Sequence, residues 1–145
     1  MVNKIQRAQI NLTKTDKETN KALSNAVFDI YAREDIIANG VTMFKAGTKV
    51  GTLTTGENGK ALSNALYLGE YYLKEVSAPT GYVLNKDNHN VSLKYDGQKA
   101  EVYIQSETVS NMPQKGIIEI SKIDAETDRP IIKGAVYGVY ASTDI

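Results

Sequence analysis

Hydrophobic and polar residues alternate with a period of two along most of this chain, the pattern of strands that bury one face. Ile10-Asn11-Leu12-Thr13-Lys14 puts Ile10, Leu12 and Lys14 on one face. Ala26, Phe28, Ile30 and Ala32 form the inner face of a second strand, expected to pair with the first. Residues 33–40 are short, charged and ended by Asn39-Gly40, which predicts a loop or one helical turn. Strand signals resume at Val41, and residues 49–55 are rich in Thr and Val. Asn58-Gly59 predicts a hairpin leading into residues 60–68, where Leu62, Leu66 and Leu68 supply core.

The stretch 69–82, GEYYLKEVSAPTGY, places Glu75 on the same parity as Tyr71 and Leu73, so a carboxylate points inward near a strand end. Ala78-Pro79-Thr80-Gly81 then stops the ladder. Residues 85–90 read as a polar loop in which His89, with nothing beside it to orient it as a base, is solvated and has no role. Residues 91–95 and 100–104 alternate around Asp96-Gly97, a second hairpin signal, with Val102 and Ile104 on one face. Val109 and Asn111 share a parity in the last strand before Met112-Pro113 breaks it. About seven short strands without a long amphipathic helix predict an all-β Greek-key sandwich over roughly residues 6–113.

Charge and composition remove several function classes. Lys plus Arg and Asp plus Glu number 17 each, so no single-sign field draws nucleic acid or anionic lipid. With no cysteine and His89 as the one histidine, disulfides, thiol nucleophiles and a conventional zinc site are excluded, and no metal or cofactor is expected. No segment approaches the roughly 20 apolar residues of a membrane span, and Met1-Val2-Asn3-Lys4 is not followed by the apolar core of a signal peptide. An export signal or wall anchor is expected to lie outside this stretch.

The chain also repeats itself. Ile118, Ile120, Lys122, Asp124, Glu126 and Thr127 match Ile10, Leu12, Lys14, Asp16, Glu18 and Thr19 at an offset of 108 (122 − 14). With one inserted residue, Ala135-Val136-Tyr137 and Tyr140-Ala141 fall on Ala26-Val27-Phe28 and Tyr31-Ala32. A period of domain length predicts beads on a string: a domain over residues 1–113, then residues 114–145 as the first two strands of a second. Two strands alone are not independently stable. The tail is therefore expected to be mobile or to pair with another molecule's sheet by strand exchange.

Lys14, Glu75 and Asn111 are thus three polar residues on apolar parities of three strands. Each singly reads as a snorkelling or ion-paired side chain, or as an amide satisfied by backbone. Their coincidence points to a site. The pattern Gly-x-Tyr-x-Leu-x-Glu-x-x-Ala-Pro-x-Gly-Tyr, with Tyr71 and Gly81 in register, resembles the Cna B-type (SpaA-like pilin) repeat of Gram-positive surface adhesins and pilins. The resemblance covers about residues 8–113. It implies an Ig-like, prealbumin-like sandwich with adjacent first and last strands, in which Lys14, from Lys14-Thr15-Asp16, condenses with Asn111 while Glu75 relays the proton. Lys122 is then the second repeat's counterpart of Lys14. One departure is Ser24-Asn25-Ala26 where the family has Gly-Ala, a pair that Gly134-Ala135 keeps.

The implied function is a structural stalk module of a cell-wall-anchored extracellular protein, locked by an isopeptide bond and flanked by tandem neighbours. It turns over once and is no enzyme toward outside substrates. The alternative is an adhesin module whose loops, at 33–49 and 85–90, hold a host matrix protein or glycan.

Overall fold

A computed structural model describes residues 5–130 and 134–145. The polar lead Met1-Val2-Asn3-Lys4 lies outside them. The chain divides into two compact units, Met1–Gln114 and Lys115–Ile145.

The first unit is an all-β sandwich. One sheet has the order β10-β1-β6, with β7 also pairing β1: β1 is Arg7–Asp16, β6 Lys60–Leu62, β7 Leu66–Tyr67 and β10 Val102–Asn111. The facing sheet runs β5-β2-β8-β9, from Lys49–Thr54, Val27–Ala32, Gly69–Ser77 and Asn88–Leu93. Alternation is strict on β1, where Ala8, Ile10, Leu12, Lys14 and Asp16 are all buried. Phe28 and Ile30 on β2, Tyr71 and Leu73 on β8, and Val91 and Leu93 on β9 fill the other side of the layer. Burying one face of each sheet against the other is what holds the fold together. The first and last strands lie side by side and run parallel over ten residue pairs, from Arg7↔Val102 to Asp16↔Asn111.

Several connections differ from the expectations. β1 and β2 do not pair, because residues 17–26 carry the chain to the opposite sheet, where β2 lies between β5 and β8. The Asn58-Gly59 turn forms, with Gly56 N–H donating to Lys60 O at 3.0 Å, yet it joins β5 and β6 of different sheets. Asp96-Gly97 likewise lies in a crossing: β9 pairs with β8 and β10 with β1. Val102 and Ile104 face outward, since the inward parity of β10 is the one carrying Val109 and Asn111. Residues 33–40 contain β3, Ile36–Ala38, which pairs with β4, Val41–Phe44, across Asn39-Gly40. Both turn residues have positive φ, 55° and 74°, the geometry of a type I′ turn. His89 sits within β9, opposite Leu73, and not in a loop.

Gly59 is a close-approach position. Its φ is +73°, and a Cβ there would stand 2.8 Å from Lys14 O and 2.9 Å from the Ala22 Cβ. Its carbonyl accepts the Lys14 N–H at 2.7 Å, and Lys14 O accepts the Leu23 N–H at 2.9 Å. The backbone of Lys14 is thereby pinned on both sides.

The second unit has no strand among its described residues, and Ile117, Ile118, Ile120, Val136 and Val139 are exposed. Its described residues include a hydrogen-bonded turn at Asp124. Asp124 Oδ1 accepts the N–H groups of Glu126 and Thr127, its carbonyl accepts Asp128 N–H, and its own N–H donates to Arg129 O. Asp16 makes the same four bonds with Glu18, Thr19, Asn20 and Lys21. Asn20 and Asp128 share the left-handed conformation, φ 64° and 56°. Asn25 and Gly134 are left-handed too, so the Asn departure keeps the backbone shape with the residue that best tolerates it after glycine.

Candidate functional site

Lys14 of β1, Glu75 of β8 and Asn111 of β10 come together between the sheets, each at most 2% exposed. Their inward parity and the parallel β1–β10 register bring them there. The Lys14 Nζ lies against Asn111 Oδ1 and 3.6 Å from Glu75 Oε1. Asn111 Nδ2 donates to Glu75 Oε1 at 2.9 Å and Oε2 at 3.2 Å. Glu75 thus faces the amide nitrogen, and the lysine faces the carbonyl. The Phe28 ring floors the site, its centroid 5.6 Å from Nζ.

Burial lowers the Lys14 pKa from 10.5 to about 8, against the opposing pull of the Glu75 charge and its hydrogen bond. Burial thus makes the neutral amine far easier to reach than in a solvated lysine, and Glu75 beside it can take the proton. A neutral amine held against an amide carbonyl in a dry pocket is a nucleophile in place.

Residues that the alternation did not single out complete the site. Asn85 donates its backbone N–H to Glu75 Oε2 at 2.6 Å and its Nδ2 to Ser110 O at 3.4 Å. Tyr82 donates its hydroxyl to Asp16 Oδ2 at 2.7 Å. That bond, followed by the backbone donors of Thr19 and Glu18, holds the Asp16 carboxyl below its ordinary range, while the same contact raises Tyr82. Tyr82 closes the Ala-Pro-x-Gly-Tyr motif and Asp16 the Lys-x-Asp motif, so both were visible as letters without a partner. His89 points into the layer with Nε2 buried and unpartnered. Desolvation first, then the Lys14 charge, lowers its pKa. Lys122 is exposed in the second unit. No cluster of metal-ligating side chains occurs among the described residues, and no helix among them is long and apolar enough to cross a membrane.

Two facing β-sheets with the first and last strands parallel and adjacent make a prealbumin-like sandwich. The family described as SpaA, prealbumin-like fold domain, matches residues 8–108, and the chain belongs to that family. A curated relative, the trypsin-resistant surface T6 protein of Streptococcus pyogenes serotype M6, is 28% identical over 87 residues, 60% of this chain and 14% of its own length. Among solved structures, the TIE protein of Bacillus anthracis is 28% identical with a TM-score of 0.57, over 74% of this chain and 18% of that one. The major pilin subunit BcpA of Bacillus cereus is 26% identical with a TM-score of 0.52, over 73% and 29%. The chain spans less than a third of each of these proteins.

Proposed function

We propose that this chain is a stalk module of a pilin or adhesin on the surface of a Gram-positive bacterium, locked by a self-formed isopeptide bond between Lys14 and Asn111. The observation that carries the reading is the buried contact of Lys14, Glu75 and Asn111. Relatives described as a surface protein and a pilin subunit support an extracellular surface setting, and attachment to the cell wall is part of the same proposal.

In the reaction, Lys14 gives a proton to Glu75 and becomes a free amine. Nζ attacks Asn111 Cγ, forming the new C–N bond and a tetrahedral intermediate; as it collapses, the remaining excess proton on Nζ passes to the Glu75 carboxylate, once that has given up its first proton, and leaves with the ammonia as ammonium. Glu75 hands its proton to Nδ2, which it already faces, and the Cγ–Nδ2 bond breaks to release ammonia. The reaction consumes both the Lys14 amine and the Asn111 amide and the ammonia is lost to solvent, so each molecule reacts once. A link closing a loop of this span adds about 4–5 kcal/mol of stability in the chain-entropy account, and it needs no oxidising compartment.

Residues 114–145 are read as the opening of the next module, with Lys122 in the place of Lys14. Its partners are then neighbouring modules of the same protein, or a sheet edge of another copy through strand exchange. Intact mass tests the central reading. Wild type should weigh one ammonia less than its sequence, and Lys14→Ala, Glu75→Ala and Asn111→Ala should each show the full mass; a wild type with nothing missing refutes the bond.

The adhesin alternative has one feature in its favour. Ile5, Gln6, Leu68, Tyr95, Gly97 and Gln98 help line a cleft of about 670 Å³ near the start of β1, outside the 33–49 and 85–90 stretches that the sequence points to. Binding of the domain to immobilised matrix proteins, lost on Tyr95→Ala, would favour that reading.

A further inference from the structure

We infer that Tyr82 and Asp16 are positioning residues for the cross-link: their hydrogen bond clasps the end of β10 to the end of β1 and so delivers Asn111 to Lys14. This deepens the isopeptide reading and rests on it.

The reacting pair sits at a vulnerable place. Asp16↔Asn111 is the last rung of the parallel ladder, and both strands end there. Strand ends fray, and a shift of about 1 Å in a reacting group can cost a hundredfold in rate. Beyond Asn111 the chain has no further rung with β1. It is held instead by the loop that leaves Glu75's own strand: Val83 N–H donates to Met112 O at 2.9 Å, Gln114 N–H donates to Gly81 O at 2.8 Å, and Tyr82 bridges to Pro113. Lys17 N–H adds a bond to Asn111 O at 2.9 Å. The Tyr82 hydroxyl then reaches Asp16 Oδ2 at 2.7 Å. One side-chain bond therefore closes a circuit through the ends of β1, β8 and β10, the three strands that carry Lys14, Glu75 and Asn111.

A second observation separates this role from turn formation. Asp16 builds its own turn through Oδ1, with Glu18 and Thr19. Asp124 builds the same turn through Oδ1 in the second unit, whose described residues include no strand. The turn therefore stands without a tyrosine, and Oδ2 of Asp16 is available for Tyr82.

The test follows ammonia loss by intact mass, over time, in full-length chains made by a short pulse of cell-free synthesis. Tyr82→Phe keeps the ring and removes the hydroxyl; Tyr71→Phe is the control, removing a hydroxyl that donates to Tyr67 O at 2.6 Å away from the reacting groups. The expected result is about a tenfold slower reaction for Tyr82→Phe, with Tyr71→Phe at the wild-type rate although both chains are folded by circular dichroism. Asp16→Asn, which keeps an oxygen for the turn, should slow the reaction too. The double variant Tyr82→Phe/Asp16→Asn should be no slower than the slower single one. Wild-type speed for Tyr82→Phe, or equal slowing of the two tyrosine variants, overturns the clasp. Absence of ammonia loss from wild type instead overturns the isopeptide reading beneath it.

Discussion

Lys14 and Asn111, 97 positions apart in sequence, meet diagonally and not as partners: Lys14 pairs with Val109, and Asn111 pairs with Asp16. In a parallel ladder the inward side chains two residues apart on one strand flank the inward side chain of the next. A long, flexible lysine spans that diagonal, which a shorter cation on β1 would not. Replacing Lys14 by a shorter amine should therefore leave the fold intact and the amide of Asn111 unreacted, as read by intact mass.

The rate of cross-linking should depend on pH in a way that identifies the reactive form. The pair Lys14–Glu75 must hold one proton, which moves from nitrogen to oxygen before attack. That state persists through neutral pH and is lost above about 8, where the Lys14 proton leaves. Ammonia loss should thus be level around pH 7 and fall on the alkaline side of about 8. A rate that climbs through pH 8 and stays high would mean that Glu75 need not carry a proton.

Asn111→Ala, which forbids the bond, should lower the unfolding free energy by about 4–5 kcal/mol. Denaturant midpoints of the two chains give the comparison, and equal midpoints would contradict a constraint of that size.

His89 should make stability sensitive to mild acid. Burial is the largest cause lowering its folded pKa, joined by the Lys14 charge for as long as that amine is unreacted, against the opposing pull of Asp87, Glu75 and Glu107. As pH falls below the ordinary value of about 6.5, the unfolded chain takes up the proton first, so stability drops with falling pH. Melting temperatures from pH 7.5 to 5.5 should decline in wild type and flatten in His89→Gln.

Gly59→Ala should destabilise by about 2 kcal/mol or more, since alanine at φ +73° is strained and its Cβ would press on Lys14 O. Thermal melting measures it. Because the clash falls on Lys14's own carbonyl, the same variant should also react more slowly.

What was legible in the sequence follows from how far each signal reaches. Side-chain parity is local, so the inward placement of Lys14, Glu75 and Asn111 could be read from Ile10, Leu12, Tyr71, Leu73 and Val109. Sheet membership is not local. Asn58-Gly59 and Asp96-Gly97 carry the same turn chemistry whether the next strand pairs back or crosses to the facing sheet, and here both chains cross. Val102 and Ile104 do share a face, but which face could not be read from them, because the inward parity of β10 is declared only later in the strand, at Val109 and Asn111. β3 was hidden by its length of three residues among charges, although Ile36 is fully buried. In the second unit, alternation at Ile118 and Ile120 is not enough, for a strand exists only with a neighbour to bond, whereas the Asp124 turn bonds to itself.

The parallel pairing of β1 and β10 also sets a ruler. The chain enters at the start of one ten-residue strand and leaves at the end of the other. Between those two points the domain spans roughly 33 Å along the strand direction, at about 3.3 Å per residue. Residues 15–110, pulled straight, would add roughly 320 Å more. A covalent link from Lys14 to Asn111 leaves that slack permanently out of reach, so the module would act as an inextensible spacer whose length under load is set by a single strand.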